Sequence, residues 1–244
     1  MQKIIYIFII LTLNTNIFAE EIYFDLSDNE IHIQTDFIGK EIIIFGVFQA
    51  GENTVIAIEG PNKDFKVMKK EKILGFWFNT KKVIYKNLPS LFFLASSSPI
   101  KEILNIDTII KEKLYFDELL VNTITQRDFI QQKNLDLWNK NLIKIKNENN
   151  LYKEYQFNNI DDKLFQTRIF FPANSIIGNY KVKIYQVKDH LIISKKIKVI
   201  NIKKSGIGER IFEFAHNQPA AYGLLSIVFA ILSGLLAATI FRRL

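Results

Sequence analysis

The most constraining feature of this chain is an uncharged apolar stretch near its end. Residues 220–241 carry no charged side chain, Pro219 precedes them and Arg242 follows. A helix rises about 1.5 Å per residue, so this stretch is about 30 Å long and matches the hydrocarbon thickness of a bilayer. We therefore predict a transmembrane helix over 219–241, in contact with the lipid bilayer, and a short tail over 242–244.

The beginning of the chain has the layout of a secretory signal. Lys3 precedes an apolar run over 4–13, which is too short to span a bilayer, and Ala19 ends the polar stretch that follows. We predict a signal peptide over 1–19; an uncleaved anchor is the alternative. Export then places the domain in the periplasm, the helix in the bacterial inner membrane and the C-terminus in the cytoplasm. A long exported domain led by a signal translocates largely regardless of its charges.

The region between these ends reads mainly as short β-strands. Its runs are rich in Ile, Val, Phe and Tyr, and Gly, Pro and Asn lie in the breaks between them. The predicted strands are 31–37, 41–48, 54–60, 64–70, 77–85, 164–172, 180–187 and 191–201. Such spacing favours a mostly β fold, an immunoglobulin-like or Greek-key β-sandwich over residues 20–204.

A helical insertion is predicted at about 98–150. Ser98 and Pro99 fit the N-cap and first position of a helix, and residues 100–124 read as short helices. Residues 125–128, TQRD, offer a capping box for a longer helix that ends near 149–150. Its apolar stripe has helical spacing and is interpreted as core: Leu135, Trp138, Leu142 and Ile145.

The segment 172–180 resembles the tyrosine corner of Greek-key sandwiches. Pro172 and Gly178 lie in a loop, and Tyr180 opens the next strand. In such corners the tyrosine hydroxyl bonds to upstream main chain, so we assign these three residues structural roles. Residues 188–190, KDH, are predicted to form a hairpin turn.

Residues 205–218 form a juxtamembrane linker. Ser205 and Gly206 suggest a flexible joint, and the residues after Gly208 alternate between apolar and charged types. Two interpretations stay open: an amphipathic helix at the membrane interface, or a simple extension of the transmembrane helix.

The sequence contains no recognisable catalytic, cofactor or metal motif. His32, His190 and His216 lack partners at metal-ligand spacing, and the chain has no cysteine. The net charge of +7 comes from lysines interspersed with acidic residues, so no nucleic-acid partner is predicted. We predict no catalytic, cofactor-binding or metal residues and no cofactors.

The transmembrane stretch does contain a ladder of small residues. They recur at steps of four: Ser226, Ala230, Gly234 and Ala238. Small residues let helices approach closely in lipid, so the ladder predicts contact with another helix, in a second copy or in a multi-spanning partner. A plain anchor helix is the alternative.

Several short motifs resemble the alphaproteobacterial transmembrane protein family Alph_Pro_TM over nearly the whole mature chain. They are FxG at 37–39, FG at 45–46, EGP at 59–61, GFWFN at 75–79, LPS at 88–90, AS at 95–96, FPAN at 171–174, GNY at 178–180, YG at 222–223 and FRR at 241–243. Phe92 and Phe93 depart from the tyrosine expected there. The resemblance implies an exported domain, one C-terminal span and a transporter-like partner; it carries no catalytic residues.

These observations favour a non-enzymatic, single-pass membrane protein that serves as an accessory or interaction subunit of a transporter or envelope complex. Two alternatives stay open. One is a small-ligand or polysaccharide-binding module, which would need a groove lined by exposed Trp77 or Tyr85. The other is an envelope enzyme with a site built from loops, which would need histidines and carboxylates that converge.

Overall fold

A computed structural model describes residues 23–47, 51–127, 134–161 and 164–242. The predicted signal peptide and residues 243 and 244 lie outside this part. The strands are β1 (Tyr23–Leu26), β2 (Glu30–Ile33), β3 (Gly39–Val47), β4 (Asn53–Glu59), β5 (Asn62–Ile73), β6 (Phe76–Pro89), β7 (Phe92–Ser96), β8 (Ile124–Arg127), β9 (Tyr152–Gln156), β10 (Asn158–Asp161), β11 (Leu164–Pro172), β12 (Gly178–Lys188) and β13 (Leu191–Lys204). The helices are α1 (Ile100–Ile103), α2 (Ile106–Glu112), α3 (Phe116–Leu119), α4 (Leu135–Glu148), α5 (Ile207–Asn217) and α6 (Pro219–Phe241).

The strands form three sheets. The outer sheet has the order β1-β3-β11-β10, the central sheet has the order β2-β13-β12-β4-β7-β9, and the hairpin sheet has the order β5-β6-β8. Neighbouring strands are antiparallel, except that β2 runs parallel to β13 and β9 runs parallel to β7. The mostly β fold class is confirmed.

The two larger sheets follow the immunoglobulin strand order. In the outer sheet, β1, β3, β11 and β10 correspond to strands A, B, E and D. In the central sheet, β4, β12 and β13 correspond to C, F and G, and β7 lies beside β4 where variable-type domains add a strand. The two sheets share one apolar core, so they form a sandwich.

Two strands of the central sheet, β4 and β7, are buried on both faces. Ile56 and Ile58 of β4 point into the core shared with the outer sheet, whereas Val55 and Ala57 point into a second core. The second core is completed by side chains of the hairpin sheet and the helices, such as Val83, Ile109 and Trp138. Because successive side chains of a strand alternate between faces, double burial explains the uninterrupted apolar run of β4.

The predicted capping box at 125–128 is wrong. Ile124 to Arg127 form β8, which pairs with β6 through Tyr85 opposite Ile124 and Ile84 opposite Gln126. Asp128 lies outside the described residues, and α4 begins only at Leu135. Pairing with the otherwise open edge of β6 satisfies main-chain groups that a local cap would leave unpaired, so tertiary contact overrides the local signal.

The predicted short helices over 100–124 are present as α1, α2 and α3. The N-cap of α1 is Pro99 and not Ser98 as predicted, so the helix begins one residue later than the sequence indicated.

The predicted stripe on α4 is correct at three positions and wrong at Ile145. Leu135, Trp138 and Leu142 are buried, but Ile145 is 45% exposed and Lys146 is buried instead. Both positions lie close to the stripe on a helix with 3.6 residues per turn, so periodicity does not separate them. The contacts of Lys146 with the hairpin sheet decide which one is covered.

The corner at 172–180 has the geometry of a tyrosine corner. The buried Tyr180 donates its hydroxyl to the carbonyl of Ile176 at 2.7 Å. Gly178 has φ +139°, and a Cβ there would lie 2.6 Å from Cγ of Pro61, the residue directly before β5. Pro172 ends β11, and its carbonyl accepts from the amide of Ser175 at 3.0 Å. The hairpin turn after β12 has positive φ at Asp189 and His190, as a type I′ turn requires.

The juxtamembrane region contains a helix separate from the apolar one. α5 ends at Asn217, Gln218 leaves the helical region (φ −138°, ψ 64°), and Pro219 begins α6. Since proline is favoured at the first position of a helix, Pro219 sets this boundary. The two helices are therefore not one continuous extension.

Removing the corner hydroxyl tests its contribution to stability. Tyr180→Phe keeps the buried ring but leaves the Ile176 carbonyl without this donor, so we expect a loss of about 1–3 kcal/mol in unfolding free energy. Tyr23→Phe removes a hydroxyl from a tyrosine that is 66% exposed and serves as the control. Denaturant unfolding of the full chain in mild detergent measures both, and equal stability of the two variants would contradict the assigned role.

Candidate functional site

The hairpin of β5 and β6 projects beyond the core. Val83 is fully buried and Val67 is partly buried, but none of residues 68–82 is buried. We call residues 68–81 the outer hairpin. Seven residues separate Val67 from Leu74 at its tip, so the projection is about 23 Å at the usual rise of a strand.

The tip of the outer hairpin is apolar and exposed. Five large apolar side chains at the tip are 47–94% exposed: Ile73, Leu74, Phe76, Trp77 and Phe78. Together they present far more apolar surface than a single isolated side chain would. Burying such a side chain stabilises a fold by about 1.5–3 kcal/mol, and here that stabilisation is not used within the chain. The tip therefore has the character of a contact surface.

The turn at the tip holds a leucine in an unfavourable backbone conformation. Leu74 has φ +50° and Gly75 has φ +90°, as a type I′ hairpin turn requires. Among the described residues, the other non-glycine positions with positive φ hold Asn, Asp, His or Lys, so Leu74 is the apolar exception. A left-handed residue of this kind costs about 1–2 kcal/mol, yet the side chain gains no burial in return.

The stem of the outer hairpin is basic. Residues 66–82 contain six lysines and one glutamate. The carboxylate of Glu71 lies 2.6 Å from Nζ of Lys69, and the hydrogen bonds from Lys69 and Thr80, followed by the charge of Lys69, lower the pKa of Glu71. The hairpin thus combines an apolar end with a positively charged stem.

A groove of about 740 Å³ separates the hairpin stem from α4. We call it the stem groove. Val67 and Met68 line it from the hairpin, and Leu137, Trp138 and Ile145 line it from the helix. Its polar rim consists of Lys69, Lys81, Asn134, Asn141, Lys144 and Glu148. Glu148 is 3.8 Å from Lys144, so the rim is positive apart from one carboxylate that already faces a lysine.

Lys146 is buried where α4 meets the root of the hairpin. Its Nζ donates to the carbonyl of Ser90 at 3.1 Å and lies 3.2 Å from the ring centroid of Phe65 and 5.1 Å from that of Tyr152. Among the described residues no carboxylate pairs with it. Burial, together with the smaller effect of the charge of Lys63, lowers the pKa of Lys146 to about 7. The apolar periodicity of the sequence did not predict that Lys146 is buried. Its position four residues after the buried Leu142 places it on the same face of the helix and could have indicated this.

The histidines and carboxylates do not gather into a reactive cluster in the part of the chain that the structure describes. His32 lies 3.5 Å from Glu30 on the surface, His190 lies in a hairpin turn, and Nδ1 of His216 is 3.2 Å from the Phe212 carbonyl in α5. No group of three or more His, Asp or Glu side chains in these residues could hold a metal ion.

The two aromatic residues considered for a ligand groove lie apart. Tyr85 is fully buried, and its hydroxyl donates to Oδ1 of Asn139 at 3.0 Å, while burial raises its pKa to about 12. The requirement for an exposed Tyr85 is therefore not met. Trp77 is 68% exposed, but it lies at the hairpin tip and not among the residues of the stem groove.

The predicted ladder lies on α6, no residue of which is buried against the rest of the chain. This helix is the one in the described residues that is long and apolar enough to cross a membrane, with a mean hydropathy of 2.5. A step of four residues advances about 40° around a helix, so the ladder covers about a third of its circumference: Ser226, Ala230, Gly234 and Ala238. The hydroxyl of Ser226 donates to the Tyr222 carbonyl within the helix at 2.8 Å.

Comparison with known proteins gives one match. The family model described as "Putative transmembrane protein (Alph_Pro_TM)" covers residues 21–243. Neither the curated proteins nor the solved structures return a match.

The burial of Lys146 predicts a pH-dependent stability. The lysine is protonated in the unfolded chain up to about pH 10 but loses its proton near pH 7 in the folded chain. The unfolded state therefore binds more protons above pH 7, so stability should rise with pH by up to about 1.4 kcal/mol per unit relative to Lys146→Met. Denaturant unfolding at several pH values between 7 and 10 measures this difference. The exposed-site variant Lys144→Met should follow the unmodified protein, and a Lys146→Met curve parallel to both would refute the assignment.

Proposed function

This chain belongs to the Alph_Pro_TM family, and we propose that it is a non-enzymatic accessory subunit of a transporter or envelope complex. In this proposal α6 crosses the bacterial inner membrane once, the sandwich lies in the periplasm and the C-terminus lies in the cytoplasm. The stem groove receives a periplasmic segment of a transporter-like membrane protein. The secretory layout of residues 1–19, which precede a long domain, supports this orientation.

The stem groove is the observation that carries the proposal. Apolar side chains on both walls remain exposed, with Met68 at 44% and Leu137 at 61%. The lysines on the rim complement a segment that carries acidic residues beside apolar ones. An apolar floor with a charged rim is the usual anatomy of a protein interface.

The chemistry of the groove supports binding over catalysis. General acid–base catalysis uses a titratable pair held near the reacting atoms, and nucleophilic catalysis uses an activated hydroxyl, thiol or amine. The described lining residues include one carboxylate and lysines and asparagines at the rim. The alternative of a polysaccharide-binding module is less well supported, because Tyr85 is buried and Trp77 lies away from the groove.

Charge placed in the groove should abolish partner binding. Leu137→Glu and Ile145→Glu change exposed side chains, so we expect the fold to be retained and a co-purifying multi-spanning membrane protein to be lost. The measurement is affinity purification from native membranes in mild detergent, with the bound protein identified by mass spectrometry. Leu191→Glu, at an exposed position after the β12–β13 turn, is the matched control. A chain that purifies alone and as a monomer, or binding equal in all variants, would refute the proposal.

The ladder on α6 yields a separate prediction. Gly234→Leu adds bulk where helix backbones would approach, so crosslinking within the membrane to a partner helix should fall several-fold. Thr239→Leu adds a similar side chain on the opposite side of α6 and should leave crosslinking unchanged. If Gly234→Leu also leaves it unchanged, α6 is a plain anchor.

A further inference from the structure

The tip of the outer hairpin has no role in the groove described above. We propose that this tip inserts into the lipid interface of the membrane that α6 crosses, so that the chain holds the bilayer at a second point. The inference goes beyond the proposed function, because it concerns lipid and requires no partner protein.

The side chains of the tip suit the boundary between headgroups and acyl chains. Tryptophan and other aromatic residues concentrate at that boundary, because their rings are apolar while their edges tolerate water. Phe76, Trp77 and Phe78 are consecutive and at least half exposed. Ile73 pairs with Phe76 across the hairpin and Lys72 pairs with Trp77, so the apolar end meets the first lysine within one residue of the turn.

The lysine stem fits an anionic headgroup layer. Basic residues beside a membrane surface with anionic lipids contribute about 1 kcal/mol each. The six lysines over 66–82 exceed the single glutamate of the same span by five charges. These lysines follow the apolar tip along the hairpin. A hairpin that enters a bilayer from water requires this order, with apolar side chains first and positive charges behind them.

The root of the hairpin lies at the edge of the central sheet from which the chain leaves for the membrane. Lys181 of β12 is paired with Glu59, the last residue of β4, and on its other side with Val199 of β13. Glu59 and Val199 therefore lie at the same position along their strands, and a spacing of two strands separates them by about 10 Å. β4 leads into the hairpin two residues later, and β13 continues to Lys204 and then to α5 and α6.

The link between the central sheet and the membrane helix is short. Two residues, Ser205 and Gly206, separate β13 from α5, and Gln218 alone separates α5 from α6. α5 exposes Ile211 and Phe212, as a helix lying in the interface would. With α5 in that plane, the exit edge of the sheet, where the root of the hairpin lies, is close to the headgroups.

Insertion into lipid explains why an exposed leucine occupies the strained turn. Asn-Gly or Asp-Gly would form this turn without the cost of a left-handed leucine. Leu74 is 94% exposed, so the cost brings no gain inside the domain. Transfer of the Leu74 side chain from water to acyl chains would recover about 1.5–3 kcal/mol, which exceeds that cost.

Tryptophan fluorescence tests the insertion. The chain contains two tryptophans, so Trp138→Phe leaves Trp77 as the reporter in the full-length protein. This variant is reconstituted into vesicles of phosphatidylethanolamine and phosphatidylglycerol, with either ordinary or brominated acyl chains. We expect a blue-shifted emission of Trp77 in ordinary lipid and a marked loss of intensity in brominated lipid, because bromine quenches only at contact range.

The matched control places a reporter at the other end of the central sheet. In a chain with Trp77→Phe and Trp138→Phe, Leu191→Trp sits beside the β12–β13 turn, opposite the exit edge. Its emission should be equal in both kinds of vesicle. Equal emission of Trp77 in the two vesicles, or quenching at both positions alike, would overturn the proposal.

A second reporter covers the case in which Trp138→Phe disturbs the core. Because the chain has no cysteine, Phe76→Cys and Leu191→Cys each accept one spin label with both tryptophans kept. The label at position 76 should be more accessible to oxygen than to a water-soluble nickel complex, and the label at 191 should show the reverse. The opposite order at position 76 would contradict insertion. We expect Leu137→Glu to abolish partner binding but to leave the tryptophan fluorescence and the spin-label accessibility unchanged. The two proposals can therefore be refuted independently of each other.

Discussion

Every layer of this fold depends on the need to cover both faces of β4 and β7 in the central sheet. Val55 and Ile56 are adjacent in β4, and each is fully buried in a different core. An uncovered face would leave a row of large apolar side chains in water at about 1.5–3 kcal/mol each. The outer sheet covers one face. The helices and the hairpin stem cover the other, so the β5–β6 hairpin and the helical insertion after β7 are part of the core and not appendages.

The root of the β5–β6 hairpin is joined to the sandwich at the tyrosine corner. Added atoms at Gly60 would meet Oγ of Ser90 at 2.6 Å and the ring of Tyr180 at 2.8 Å, and Pro61 packs on Gly178 in the same way. Lys146 bonds the carbonyl of Ser90 from the other side. The corner that closes the sandwich therefore also fixes the root of the hairpin. This explains how a two-stranded ribbon, which is marginal by itself, can project from the domain in a defined place.

Sequence pattern was sufficient where local and tertiary preferences agree. The strand at 164–172 was predicted to the residue, and the fold class followed from strand spacing. The pattern failed where a distant contact decides, as at Thr125, which lies in a strand of the hairpin sheet, and at Lys146, which replaces Ile145 in the core. The candidate surfaces were also missed. The predicted strand 64–70 ends before the tip and the predicted strand 77–85 takes in only Trp77 and Phe78 of it, because a run of apolar residues there breaks the alternation on which the prediction rested.

A stable domain with an exposed apolar tip can be understood as a way to restrict orientation. A single helix fixes the height of a domain above the bilayer but leaves it free to rotate and tilt about the joint at Ser205 and Gly206. A second contact at Trp77 would remove most of that freedom and hold the stem groove at one distance from the lipid surface. For a partner that is itself embedded in the membrane, such restriction raises the effective concentration of the groove without adding any contact to it. Lipid insertion by the tip and partner binding by the groove would then reinforce each other, although each rests on different residues.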